Sequence, residues 1–175
     1  LMGERTLIIA PLSVARQTVK IAQEKLGLTV RYIRHASDIT DDGNLWITNY
    51  EMIDGFDFAQ FGAVVLDESS ILKAIDGKTR SRLIGLCKDV PYRLCCTATP
   101  APNDYTEIGN HAHFLDICTT SEMLAMFFIN ANKEHSFVWG GQVFSRKGPN
   151  SGGTEWRLKR HAEQPFFRWM SSWSM

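Results

Sequence analysis

The 175-residue chain reads as an open α/β sheet, and three observations carry that reading. Short apolar runs alternate with segments of helical periodicity, the pattern of strands joined by crossover helices. Two of those runs, Ala63–Leu66 and Leu94–Cys96, are apolar throughout, as strands buried on both faces of a parallel sheet are. Four strands also end in small polar residues, on the edge where open sheets build their ligand sites.

Taken in order, Thr6–Ala10 is a short apolar run stopped by Pro11. Val14, Thr18, Ile21, Ala22, Lys25 and Leu26 then follow at helical spacing, and Gly27 is a natural stop. Thr29–Ile33 is the next strand. Leu45–Thr48 is another, reached through the turn-rich Asp41-Asp42-Gly43-Asn44. Between the two continuous apolar runs, Thr79–Cys87 has helical spacing. The second part changes character. Thr120–Ala131 reads as a helix that is apolar almost all round. Phe137–Trp139 and Gln142–Phe144 flank Gly140-Gly141, a two-residue hairpin signal. Arg146–Thr154 reads as a loop and Ala162–Trp173 as a final, aromatic-rich helix.

Bulk properties exclude several classes. Nineteen basic residues balance nineteen acidic ones, so a nucleic-acid surface has to be a local patch rather than a global charge. No run approaches the length of a membrane-spanning helix, and Leu1–Thr6 lacks the basic-then-apolar order of a signal peptide. Cys87, Cys95, Cys96 and Cys118 form no C-x-x-C pair and read as buried free thiols of a reducing cytoplasm. His111, His113 and Cys118 match no standard zinc spacing. The chain opens at Leu1 directly before a strand and closes at Met175 without a polar tail, which reads as a fragment.

The strongest chemical signal is Val64-Val65-Leu66-Asp67-Glu68-Ser69-Ser70, an apolar strand ending in two carboxylates. In phosphoryl-transfer ATPases an Asp so placed holds the Mg²⁺ that bridges the terminal phosphates, and a neighbouring Glu can activate water. The same residues equally suit the cap of a following helix. Other strand ends keep similar company: Ala10-Pro11-Leu12-Ser13, Ile47-Thr48-Asn49-Tyr50 and Thr97-Ala98-Thr99-Pro100. Hydroxyls, amides and helix N-termini suit phosphate and sugar oxygens.

In order and spacing these segments resemble motifs Ia, Ib, II and III of superfamily 2 helicases, a DEAD/DEAH-like group. They are most similar to the Swi/Snf-like translocases of phages and bacteria. Leu7–Val14 resembles motif Ia, Ile47–Asp54 motif Ib, Val64–Ser70 motif II and Cys96–Pro100 motif III. The resemblance implies an incomplete RecA-like lobe over residues 1–118. A helix–hairpin–helix extension over 119–175 would then lead toward a second RecA-like lobe. It implies ATP and Mg²⁺ as cofactors, with Asp67 on the metal, Glu68 on the attacking water, and Thr97 and Thr99 coupling the nucleotide to DNA. Pro11, Ser13, Arg16, Thr48 and Asn49 would contact the backbone of duplex DNA.

Two features depart from that pattern. Ser70 stands where motif II usually ends in His or Asp. No G-x-x-x-x-G-K-[ST] segment is present: Gly77-Lys78-Thr79 has Leu72 where the first glycine belongs, and Gly148 and Gly153 are followed by Thr154 rather than lysine. The phosphate loop is therefore expected before Leu1. Arg157, Lys159, Arg160 and His161 form the densest basic cluster, a phosphate surface or a solvated helix face. Trp139, Trp156, Trp169 and Trp173 are core residues or stacking platforms. Rival readings are a non-catalytic nucleic-acid-binding remnant of the same fold and, more weakly, a metal-dependent nuclease.

Overall fold

The computed structural model describes residues 4–73, 77–101, 103–131, 135–139, 142–146 and 155–175, with the backbone alone for 135–139 and 142–146. The chain divides into two compact units, residues 1–118 and 119–175.

The first unit is built on five strands: β1 (Thr6–Ala10), β2 (Arg31–Tyr32), β3 (Leu45–Asn49), β4 (Ala63–Asp67) and β5 (Tyr92–Cys96). They lie in the order β2-β3-β1-β4-β5, and every pairing is parallel. Parallel neighbours need a crossover between them. One of these is α1 (Leu12–Ile21), which widens into a π-helical turn at Ala22–Leu26. Gly27 ends it in the left-handed conformation, at φ 64°, where a side chain would be strained. The expected strand over Thr29–Ile33 shrinks to two residues, although Ile33 still donates its amide to the Ile47 carbonyl at 2.9 Å.

The two faces of the sheet are covered by different elements. On one, α1 seats Ala15 against Ala10 and Ile47. On the other, Leu7, Ile9, Trp46, Val64 and Leu66 meet the aromatic residues of two short 3₁₀ turns, with Leu83 and Cys87 of α2 (Lys78–Cys87) and Phe114 of α3 (Ile108–Phe114). β5 is an edge strand. Its inward side chains Arg93 and Cys95 are half-buried, but Tyr92, Leu94 and Cys96 are exposed, so the all-round burial expected of the second apolar run is not met. Cys87 is a buried free thiol as expected, while Cys96 is exposed.

In the second unit, α4 (Thr120–Phe127) opens with a capping box. The Thr119 hydroxyl accepts from the Glu122 amide, and the Glu122 carboxylate accepts from the Thr119 amide. The apolar run does not stay helical to Ala131. It switches at Phe128 into β6 (Phe128–Asn130), antiparallel to β9 (Trp156–Leu158). A hairpin of β7 (His135–Trp139) and β8 (Gln142–Arg146) intervenes; its Gly140-Gly141 turn and the 147–154 stretch lie outside the described residues. α5 (Glu163–Ser171) closes the unit through rings. Phe166, fully buried, lies 5.4 Å from Phe127 and 5.5 Å from Phe128, and Trp169 packs on Phe127 and Trp173. No helix of the described residues is long and apolar enough to cross a membrane.

Candidate functional site

Parallel register brings the polar strand ends to one edge. Ala10 lies beside Asn49, Ile9 beside Leu66, and Asp67 beside Cys96. The segments after β1, β3, β4 and β5 therefore leave the sheet together, with Asp67 near the middle. β4 is flanked on both sides, by β1 and β5, so its backbone is pinned up to the first carboxylate.

The turn after Asp67 is tightly specified. The Asp67 carboxylate accepts from the Glu68 amide at 3.1 Å, while its main-chain carbonyl accepts from the buried Tyr50 hydroxyl at 2.8 Å. Glu68 is exposed and sits at φ 50°, a left-handed conformation that costs a residue with a Cβ about 1–2 kcal/mol. Strain of this kind persists where surrounding structure over-determines the backbone, often at functional sites. Asp67 and Glu68 do not cap a regular α-helix: a 3₁₀ turn, Ser69–Lys73, follows them.

That turn reaches two further elements. The buried Ser69 hydroxyl lies 3.2 Å from Nε2 of His111 on α3. Burial, aided by the Lys73 cation, holds the His111 pKa below the usual histidine range, so the ring is neutral near pH 7. Lys73 donates to the Thr99 carbonyl and lies 3.5 Å from its hydroxyl; the Thr99 amide in turn donates to the Thr97 hydroxyl at 3.1 Å. The loop after β5 is thus tied to the turn after β4 by a lysine. Nothing in the spacing of Ser69, Lys73 and His111 announces these contacts, because they join residues 26 and 42 apart. Among the described residues no group of three His, Cys, Asp or Glu gathers as a metal cluster.

The remaining expected residues divide by accessibility. Ser13 and Arg16 are exposed and Pro11 half-buried at the start of α1. Thr48 and Asn49 are buried, and their polar groups are used internally. The Thr48 hydroxyl donates to the Ile33 carbonyl at 2.9 Å; the Asn49 amide accepts from Tyr32 at 2.9 Å and donates to Glu51. These two side chains hold the edge in shape. In the second unit Lys159 is also engaged, donating to the Ala125 and Met126 carbonyls at 2.7 and 3.1 Å, where it caps the C-terminus of α4. Trp169 and Trp173 are held in the ring cluster. The side chain of Trp139 lies outside the described residues.

No protein-family model matches this chain, and no curated protein sequence does. Among solved structures it is similar to the SWI2/SNF2 ATPase core of Sulfolobus solfataricus, determined in complex with dsDNA. The TM-score is 0.57 at 22% identity, and the match covers 70% of this chain and 28% of that one. The chain thus spans just over a quarter of that neighbour's length. The likeness is one of fold, and it agrees with the topology described above: a RecA-like α/β sheet flanked by helices.

Proposed function

We propose that this chain is part of the first motor lobe of an ATP-driven DNA translocase of the phage and bacterial Swi/Snf-like kind. One observation carries the reading. Asp67 and Glu68 stand together at the carboxyl end of a central parallel strand, with Glu68 in a strained backbone conformation that nothing in a mere cap requires. The fold shared with an ATPase core bound to dsDNA supports it.

The residues present fit a metal-bound nucleotide in part. Mg²⁺ is a hard cation held by carboxylate oxygens, and Asp67 would supply one. When bound, the ion would neutralise the charge developing in phosphoryl transfer. Glu68, exposed beside it, would orient and deprotonate the attacking water. Lys73 would carry the state of this turn to the Thr97–Thr99 loop, a contact that offsets the loss of the usual His or Asp at Ser70. The exposed start of α1, with Pro11, Ser13 and Arg16, would meet the backbone of duplex DNA, with Thr48 and Asn49 shaping that edge from within. The loop that cradles the phosphates, and the second RecA-like lobe, would belong to a longer cytoplasmic parent chain.

The test uses that parent. Glu68→Gln retains nucleotide binding and loses DNA-stimulated turnover, whereas Asp67→Asn weakens binding only when Mg²⁺ is present. Near-normal turnover in Glu68→Gln would end the assignment and leave a non-catalytic DNA-binding remnant. The 175-residue chain alone is expected to hydrolyse no ATP above background, since it has no lysine-bearing phosphate loop.

A further inference from the structure

The neutral total conceals an uneven division of charge. Residues 119–175 hold seven Lys and Arg against four Asp and Glu, while residues 1–118 hold twelve against fifteen. Among the described residues of that unit, the arginines without an ion pair are concentrated. An open groove of about 490 Å³ is lined by Arg157, Arg160 and His161, and an adjoining one of about 550 Å³ shares Arg160 and His161 and adds Arg168. All four side chains are exposed, and none joins an ion pair among the described residues. Lys159, also on the wall, is engaged on the end of α4. Glu163 is the acidic residue on the second wall.

The three arginines and His161 sit on three successive elements: Arg157 on β9, Arg160 and His161 on the 3₁₀ turn, and Arg168 on α5. Arg168 lies in the second turn of the helix, about 7–8 Å along its axis from Glu163 at 1.5 Å per residue. The arginines are therefore spread over two adjoining grooves that share Arg160. Guanidinium groups present a planar fork that matches phosphate oxygens. Of the aromatic rings nearby, Phe166 is fully buried against Phe127, and the half-buried Trp169 and Trp173 pack on Phe127 and on each other. Rings engaged with one another in this way are poorer stacking platforms for unpaired bases than open ones. What remains is a contact surface for a regular polyanion.

We propose that this groove, built from residues of the second unit alone, binds the phosphate backbone of duplex nucleic acid. The inference does not depend on ATP chemistry, and it uses residues that the proposed motor reading leaves idle.

The measurement is binding of a fluorescent random-sequence DNA duplex to the 175-residue chain as salt is raised. With three arginine–phosphate contacts, affinity falls about 40-fold between about 50 and about 200 mM salt, at a log–log slope near −2.7. Each single substitution, Arg157→Gln, Arg160→Gln or Arg168→Gln, lowers the slope by about 0.9, so that the same salt change costs about 12-fold. The triple variant loses duplex binding while its far-UV circular dichroism stays unchanged, because all three side chains are exposed. Lys25→Gln, an equal loss of charge on the first unit, leaves binding intact. A triple variant that binds duplex like the unmodified chain overturns the proposal. So does attachment of the unmodified chain to phosphatidylserine vesicles without duplex binding, or stronger binding to single strands than to duplex. Loss of binding in Arg16→Gln with none in the triple variant would defeat this site and leave the sheet-edge reading standing.

Discussion

Tyr50→Phe removes one oxygen atom from the floor of the candidate site. The hydroxyl donates to the Asp67 main-chain carbonyl at 2.8 Å from a nearly closed position. Burial raises its pKa far above the ordinary tyrosine value, with Cys95 and Asp67 adding to the effect, so it remains a neutral donor at any working pH. Phenylalanine fills the same space, so no cavity term enters. The loss is one hydrogen bond plus the cost of a carbonyl left without its partner, together about 1–3 kcal/mol. Asp67 is half-buried, which puts the expected loss in the lower part of that range, about 1–2 kcal/mol. At an m-value of about 2 kcal/mol/M in urea, the midpoint of the first unit falls by about 0.5–1 M. Four of the five tryptophans lie in residues 119–175, so bulk fluorescence would report mainly the wrong unit. Amide exchange of β1 and β4, followed through a urea series, isolates the first. Faster exchange at Glu68 and Ser69 is expected before the rest of the sheet responds. An unchanged midpoint with unchanged exchange at those two amides would refute the claim that Tyr50 pins the turn.

Glu68→Gly relieves the left-handed strain at φ 50° and should raise stability by about 0.5–1 kcal/mol after the extra chain entropy of glycine is counted; a loss of stability in denaturant melts would contradict the strain. Phe166→Ala empties the centre of the second unit's ring cluster and should cost about 3–5 kcal/mol, read as loss of amide protection confined to residues 119–175. His111 binds a proton more weakly folded than unfolded. Its contribution to stability is therefore complete above the ordinary histidine pKa of about 6.5 and is lost as pH falls below it. Melts between pH 7 and pH 5 should show a decline that flattens in His111→Gln; an equal decline in both proteins would assign it to other groups.

Much of the sheet is legible in local pattern because each long strand is a short apolar run with punctuation after it. β1, β3 and β4 announce themselves this way, and so does the pair of carboxylates that ends β4. The parts that pattern misses are held by distant partners. Phe128–Asn130 has the composition to continue α4, and only its ladder with Trp156–Leu158 makes it a strand. α3 is hidden because Gly109, Asn110, His111 and His113 are weak helix formers; its burial against the sheet supplies what propensity does not. His111 and Lys73 lie in no motif, and nothing in the motif Ib segment marks Tyr50, since each acts across a gap in the chain. Thr48 and Asn49 look like ligand-facing residues in sequence, but strand pleat and the neighbouring β2 segment turn their polar groups inward.

The outer strand of the sheet has a practical consequence for anyone handling this chain. Among the described residues β5 pairs with β4 alone, and on one of its faces Tyr92 is 54% and Leu94 42% exposed. A row of unsatisfied amides and carbonyls beside bare apolar side chains is a template for another strand. Concentrating the protein should therefore drive chains together edge to edge, and the tendency should respond to detergent more than to salt. A lysine in place of Leu94 would blunt the template, as charges do on natural sheet edges, and so extend the concentration range over which the isolated chain stays monomeric.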